Sequence, residues 1–296
     1  LTTSAYNTIM KISKKTLSII LFVLAGICVL AAVILLVKGR IEDRRMEEAL
    51  DELRPTQSAE TTQAPSTVEG EPTVTASPEP STEETPASTE EFERVANPYS
   101  DSFLANKDMA AWLQIPGTNI DYPVMWTPED ETYYLYRAFD GSENKNGCLL
   151  LDDESCVDPL TTNLIIHGHN MKSGAMFGNL TDYENQDFYK EHKNIILYTE
   201  ECQRNYEIIA VFRSQVYRKT DQVFKFYKFF QADTQEEFDD FYNNIKQLSQ
   251  YDTGVTAEFG DHFLTLSTCV YHVEQGRFVV VAKEVEPGDH YLPIQE

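Results

Sequence analysis

Leu17 to Val37 is a run of 21 residues without a charge, interrupted only by Ser18 and Gly26. As a helix it would be about 30 Å long, the thickness of a bilayer's hydrocarbon core. A single water-soluble core cannot absorb such a run, so the chain must divide into a short segment before it and a long one after it. The run is longer than the apolar part of a signal peptide, and no A-x-A cleavage pattern comes after it. It reads as an uncleaved signal anchor, with the membrane engaged through residues 17–37 and residues 1–16 in the cytoplasm. Lys11, Lys14 and Lys15 precede it; Lys38, Arg40, Arg44 and Arg45 lie just beyond. That near balance leaves the positive-inside rule undecided. The folded region beyond the run puts its C-terminal side outside the cell, as a single-pass protein. Met10-Lys11-Ile12-Ser13-Lys14-Lys15 has the form of a signal-anchor start, so residues 1–9 read either as the product of a non-ATG initiation codon or as an over-extended gene start.

Residues 38–54 are charged and suit a short helix over 40–53. From Pro55 to Glu91 the composition changes again. Six of these residues are Pro, fourteen Ser or Thr and eight Glu, and none is aromatic, Lys or Arg. Such a segment cannot bury enough apolar surface to offset its chain entropy. It is expected to be a disordered, self-repelling stalk over 55–91.

Aromatic residues become frequent from Phe92, and residues 92–296 are long enough for one core. The whole chain carries a net charge of -24, which argues against a nucleic-acid partner, since phosphate backbones are bound by clustered Lys and Arg. Five cysteines, Cys28, Cys148, Cys156, Cys202 and Cys269, fit no small disulfide scaffold, although a Cys148–Cys156 bridge stays open.

Short runs rich in Val, Ile, Leu, Tyr and Phe recur at 120–125, 147–151, 163–167, 194–199, 206–216, 262–267 and 277–283. Gly, Asn, Asp and Pro clusters separate them, so the region reads as mainly β, a barrel or a sandwich. Helices are expected at 106–113, at 175–180 and, most clearly, at 234–250. There Thr234 and Glu237 form a capping box, and Phe238, Phe241, Tyr242, Ile245 and Leu248 share one face.

Three segment ends carry reactive groups: Cys269 after Thr265-Leu266-Ser267-Thr268, Arg277 before Phe278-Val279-Val280-Val281, and His169 in His167-Gly168-His169-Asn170-Met171. A thiol attacks as its thiolate, which a positive neighbour favours. Histidine can supply that charge and then protonate a leaving amine. Arginine is no base, but it can hold carbonyls and the oxyanion of a tetrahedral intermediate. The set fits acyl transfer through a thioester.

The same residues resemble the sortases, cysteine transpeptidases of Gram-positive surfaces. Thr265 to Cys269 matches the family's TLxTC signature. Arg277 to Lys283 looks like the strand that brings its arginine. Asn163 to Met171, with Met176-Phe177 beyond it, resembles the histidine segment of class B members, and Trp112 to Val124 their early strand. Tyr133-Tyr134-Leu135 and Phe139-Asp140-Gly141 also match. The match runs over 98–284. It implies a closed β-barrel of about eight strands, with N-terminal helices and one long helix before the last strands.

It also implies Cys269 as nucleophile, His169 as general acid/base and Arg277 as oxyanion or substrate clamp. Ser267 and Thr268 become candidate substrate-binding residues. The implied partners are a C-terminal sorting-signal peptide, cut after Thr, and a peptidoglycan amine that accepts the acyl group; class B members often prefer Asn-Pro-x-Thr-type signals, and nothing in this sequence fixes the pentapeptide. No cofactor and no metal is implied. His167 stands where the family often has Tyr, and Tyr271 and His272 where some members have an acid. Three other readings use the same residues: a thiol peptidase, a zinc site of His167, His169, Cys269 and His272, and an adhesin without catalysis.

Overall fold

The computed structural model describes residues 14–55, 94–270 and 273–295. The stalk expected at 55–91 and the pair Tyr271 and His272 therefore lie, Pro55 aside, outside the described residues. The chain divides into two units, Leu1–Glu52 and Leu53–Glu296.

The first unit is built on one helix, α1 (Lys14–Leu53), of 40 residues. At about 1.5 Å per residue it is roughly 60 Å long, twice a hydrocarbon core. The charged segment does not form a separate short helix. It continues the apolar one, because residues 38–53 are mostly good helix formers and Lys38 pairs with Glu42 one turn on, at 3.7 Å. The apolar side chains from Ile19 to Val37 are exposed.

The second unit is a mixed β-barrel. Its elements are β1 (Arg94–Val95), α2 (Ser100–Ala105), β2 (Met109–Gln114), β3 (Asp121–Met125), β4 (Leu149–Leu151), β5 (Asn163–Gly168), α3 (Gln186–Glu191), β6 (Asn194–Tyr198), β7 (Cys202–Gln215), α4 (Gln235–Leu248), β8 (Phe263–Cys269) and β9 (Gly276–Tyr291). The strands lie in the order β9-β7-β6-β2-β3-β4-β5-β8, and β8 pairs back onto β9 to close the ring. Eight strands thus make the closed barrel of the resemblance, and β1 adds to its rim beside the end of β9.

Two expected helices are absent. Residues 106–113 begin with the exit from α2 and then become β2. The Met-Ala-Ala-Trp-Leu sequence favours a helix by propensity, but Trp112 is fully buried between Pro123 of β3 and Tyr198 of β6. Pairing on both sides overrides the local preference. Residues 175–180 form tight turns instead. A side chain at Gly178 would run into the Met171 carbonyl, and Met176 has a φ of 53°. The next helical residues are a 3₁₀ turn at Leu180–Glu184 and then α3.

The third helix is found. The Thr234 hydroxyl accepts from the Glu237 amide, and the Glu237 carboxylate accepts from the Thr234 amide, which satisfies donors that a helix start leaves open. Phe238, Phe241 and Ile245 bury against Phe263, Val279 and Val281, on the outer face of β8 and β9. Phe241 also stacks on Phe229, with centroids 4.1 Å apart.

Candidate active site

Side chains alternate along a strand, so Phe263, Thr265, Ser267 and Cys269 share the outer face of β8. On β9 their partners are Lys283, Val281, Val279 and Arg277. The part of this face nearer Phe263 and Val281 is covered by α4. The part at Ser267, Cys269 and Arg277 is not. There a cleft of about 210 Å³ opens, lined by Ser267, Arg277 and His167 on its floor and by Val216, Phe226, Tyr227 and Lys228 on one wall. Asp152, Asp153, Glu154 and Glu131 complete the lining. A larger cavity of about 500 Å³ lies at the opposite end of the barrel, around Arg94, Trp126, Arg204 and Tyr291. It holds none of the three reactive groups, whereas the smaller cleft is lined by Arg277; Cys269 and His169 are not in the lining of either.

The strand register brings the reactive groups together. Cys269 is paired with Arg277 across β8 and β9. In the parallel pair β5–β8, His167 is beside Ser267 and Gly168 beside Thr268. β5 ends there, and His169 follows Gly168 directly as Cys269 follows Thr268. The junction is pinned twice: the Asn170 side-chain amide donates to the Cys269 carbonyl at 2.9 Å, and the Thr268 hydroxyl donates to the Gly168 carbonyl at 2.7 Å. Thr268 is buried with its hydroxyl committed to that bond. This places Thr268 beneath the cleft rather than in its lining, unlike Ser267.

Deeper in the strands, the Thr265 hydroxyl donates to the Asn163 side chain, whose amide donates to the Phe229 carbonyl at 2.9 Å. That second bond fixes the wall carrying Phe226 to Lys228. Ser267 is 1% exposed, and its hydroxyl has no partner among the described residues although it lines the cleft.

The two histidines differ in their partners. His167 holds its Nε2 3.0 Å from a carboxylate oxygen of Asp152. Burial pushes the Asp152 carboxyl up, but the hydrogen bond and charge of His167 and the Glu154 amide outweigh it and hold it below the usual carboxylate range. His169 instead holds its Nε2 2.8 Å from the Leu135 carbonyl oxygen, and its ring stacks on Tyr136. Arg277 uses one guanidinium nitrogen to donate to the Gly276 and Gln275 carbonyls, at 3.1 and 3.3 Å. Among the described residues no carboxylate pairs with it.

Sequence reasoning does not single out Asp152, Asn170 or Tyr136. Asn170 lies inside the histidine segment, and its place in that motif is the only signal it carries. Nothing local marks Asp152 or Tyr136, because only the barrel brings them to the histidines.

All five cysteines are free thiols, which rules out the Cys148–Cys156 bridge. The zinc reading needs His272, which is outside the described residues. Among those described, no group of three or more His, Cys, Asp or Glu is placed to hold a metal.

Comparison with known proteins agrees with this geometry. The family described as "Sortase domain" matches residues 113–285. Sortase B of Listeria monocytogenes is 35% identical over 182 residues, which cover 61% of this chain and 71% of that protein. The crystal structure of Clostridium perfringens sortase B superposes with a TM-score of 0.56 at 27% identity, over 63% of this chain and 98% of that one. The Staphylococcus aureus sortase B–substrate complex gives a TM-score of 0.58 at 26% identity, over 66% and 87%. With the signature cysteine, the closed eight-stranded barrel and these likenesses in agreement, the chain belongs to the sortase family, cysteine transpeptidases that act on sorting signals and anchor surface proteins.

Proposed function

We propose that Cys269 is the nucleophile, His169 the general acid/base and Arg277 the clamp for the substrate carbonyl and its oxyanion. The observation that supports this reading is the register of three neighbouring strands: Cys269 pairs with Arg277, and the β5–β8 pairing ends at Gly168 and Thr268, the residues just before His169 and Cys269. The Cys269 sulfur attacks the carbonyl carbon of the sorting signal. His169 protonates the departing amine, and the thioester remains on Cys269. An incoming amine then attacks the thioester, gives its proton to His169 and releases Cys269 as the thiolate, ready for the next cycle. One guanidinium nitrogen of Arg277 is used by its own turn, and the remaining donors would fit the charge that develops on the oxygen.

Ser267 is the proposed contact for the bound peptide. A buried hydroxyl without a partner costs stability unless a ligand satisfies it. Thr268 holds the strands together below. The likeness to a relative solved with its substrate supports a peptide in the same cleft.

The acceptor is proposed to be a peptidoglycan amine. The apolar part of α1 suits a single membrane span over residues 17–37. The tether over 55–91 then carries the catalytic domain of residues 92–296 on the extracellular side. Sortases are surface-associated, and a 40-residue helix is long enough to cross a bilayer and extend beyond it.

The reading is tested by mass spectrometry of the solubilised full chain with a sorting-signal peptide library and a diamino-acid or oligoglycine amine. The expected products are a peptide thioester on Cys269 and then a peptide joined to the amine. Hydrolysed peptide alone, at every amine concentration, would favour a peptidase.

Arg277→Lys separates a directed role from a general positive field. Lysine keeps the charge but lacks the planar fork. Acylation is expected to fall roughly 10²–10³-fold, the scale for loss of one oxyanion donor, while a small alkylating agent still modifies Cys269. Near wild-type turnover of Arg277→Lys would remove the clamp from the mechanism.

A further inference from the structure

His169 is gripped by the 3₁₀ turn Tyr133–Tyr136. Its Nε2 lies 2.8 Å from the Leu135 carbonyl oxygen, and the Tyr136 ring stacks on the imidazole with centroids 5.2 Å apart and planes 27° from parallel. A carbonyl can only accept, so this bond needs a proton on Nε2. The turn is fixed from both sides. The buried Tyr134 donates its hydroxyl to Asp108 at 2.8 Å and accepts from Asn106 at 2.9 Å. Burial first, with Asp108 adding to it against the Asn106 amide, pushes the Tyr134 phenol up to about 12, so it stays a donor. On the other side Cys148 donates its amide to the Tyr134 carbonyl at 3.1 Å. Gly147, with a φ of 60°, packs so closely on Leu135 that any Cβ there would strike the same carbonyl that His169 uses.

We propose that this turn positions His169 for proton transfer: the Leu135 carbonyl keeps the Nε2 proton in place in both charge states, which makes Nδ1 the nitrogen that gives and takes the catalytic proton, and Tyr136 sets the plane of the ring. During acylation the S–C bond forms, the C–N bond breaks and the Nδ1 proton goes to the departing nitrogen. During transfer the N–C bond forms, the C–S bond breaks and the incoming amine's proton goes to Nδ1. The Nε2 proton never moves. A backbone carbonyl thus does for His169 what a carboxylate does for many catalytic histidines. Asp152, one of four carboxylates lining the cleft, is held by His167. Tyr136 is 60% exposed, so its ring is not part of the barrel core. This inference rests on His169 being the acid–base group.

Nitrogen-15 NMR of the solubilised full chain reads the tautomer directly. The neutral His169 ring is expected in the Nε2–H form, and an Nδ1–H form would overturn the assignment. Tyr136→Phe keeps the stacking ring and should acylate within about twofold of wild type. Tyr136→Ala should lower kcat roughly 3–10-fold, the scale of one aromatic pair, with KM little changed. In a His169→Ala background that further loss should vanish. An equal loss in both backgrounds would show that Tyr136 touches the substrate instead. Full activity of His169→Ala alone would be a failure of the parent reading, and it is visible separately.

Discussion

Cys269→Ala is expected to abolish both peptide cleavage and transfer, a loss on the order of 10⁴-fold or more, since no other group can form the thioester. The fold should survive. Cys269 is the last residue of β8 and only half-buried, and its backbone partners are Asn170 and Arg277, which alanine keeps. Thermal unfolding of the variant should therefore overlay that of the wild type. Alkylation gives an independent check. Burial first, with the charge of Asp140 adding to it, pushes the Cys148 thiol up to about 12, so it is no thiolate near neutral pH. Cys202 is buried. Inactivation should track modification of Cys269, and a sorting-signal peptide should protect it. Cleavage by Cys269→Ala at the wild-type rate would end the nucleophile assignment.

The next largest effect concerns the choice between two histidines. His169→Ala should slow acylation by about 10²–10⁴-fold, the usual worth of general acid–base help. His167→Ala should cost far less in kcat, because His167 is alongside Ser267 rather than Cys269. Its loss should appear in stability instead, since it strands the Asp152 carboxylate in the cleft wall. The pH dependence has a definite sign. The folded Asp152 carboxyl is held below its unfolded value of about 3.9. Its contribution is therefore present above that value and is lost as pH falls through the lower folded one. Urea unfolding should show His167→Ala weaker than wild type at pH 7, with the gap closing as pH drops below about 4. If His167→Ala proved the slower catalyst, the Asp152–His167 pair would be the acid–base unit and the register argument would fail.

Most of the strands are visible in the sequence because β-branched and aromatic runs bounded by turn residues have few other homes. α4 is legible from both its cap and its stripe. β2 is hidden: Met109 to Leu113 has helical propensity, and only its pairing with β3 and β6 makes it a strand. The helix expected at 175–180 fails because Gly174 and Gly178 serve close approaches that a window of residues does not display. At the site, Cys269, His169 and Arg277 are marked by motif and by their places at segment ends. Asp152, Tyr136 and the Leu135 carbonyl are not, since each reaches a histidine through a contact 15 to 34 residues away in sequence. Thr268 looks like Ser267 in the motif, and only strand alternation separates a cleft residue from a buried pin.

The parallel pairing of β5 with β8 also sets a timetable for the nascent chain. His169 and Cys269 are neighbours only through this pair, and the Asn170–Cys269 bond spans 99 residues. Closing a loop of that length is slow compared with forming hairpins such as β6–β7 or β8–β9. It also requires α3, β6, β7 and α4, which form the crossover, to be accommodated first. A chain in which this pair has not yet formed therefore carries its thiol without the histidine segment beside it. Acyl-transfer competence is then expected only once this long-range pair is in place, so copies folded without it should not take up a sorting signal.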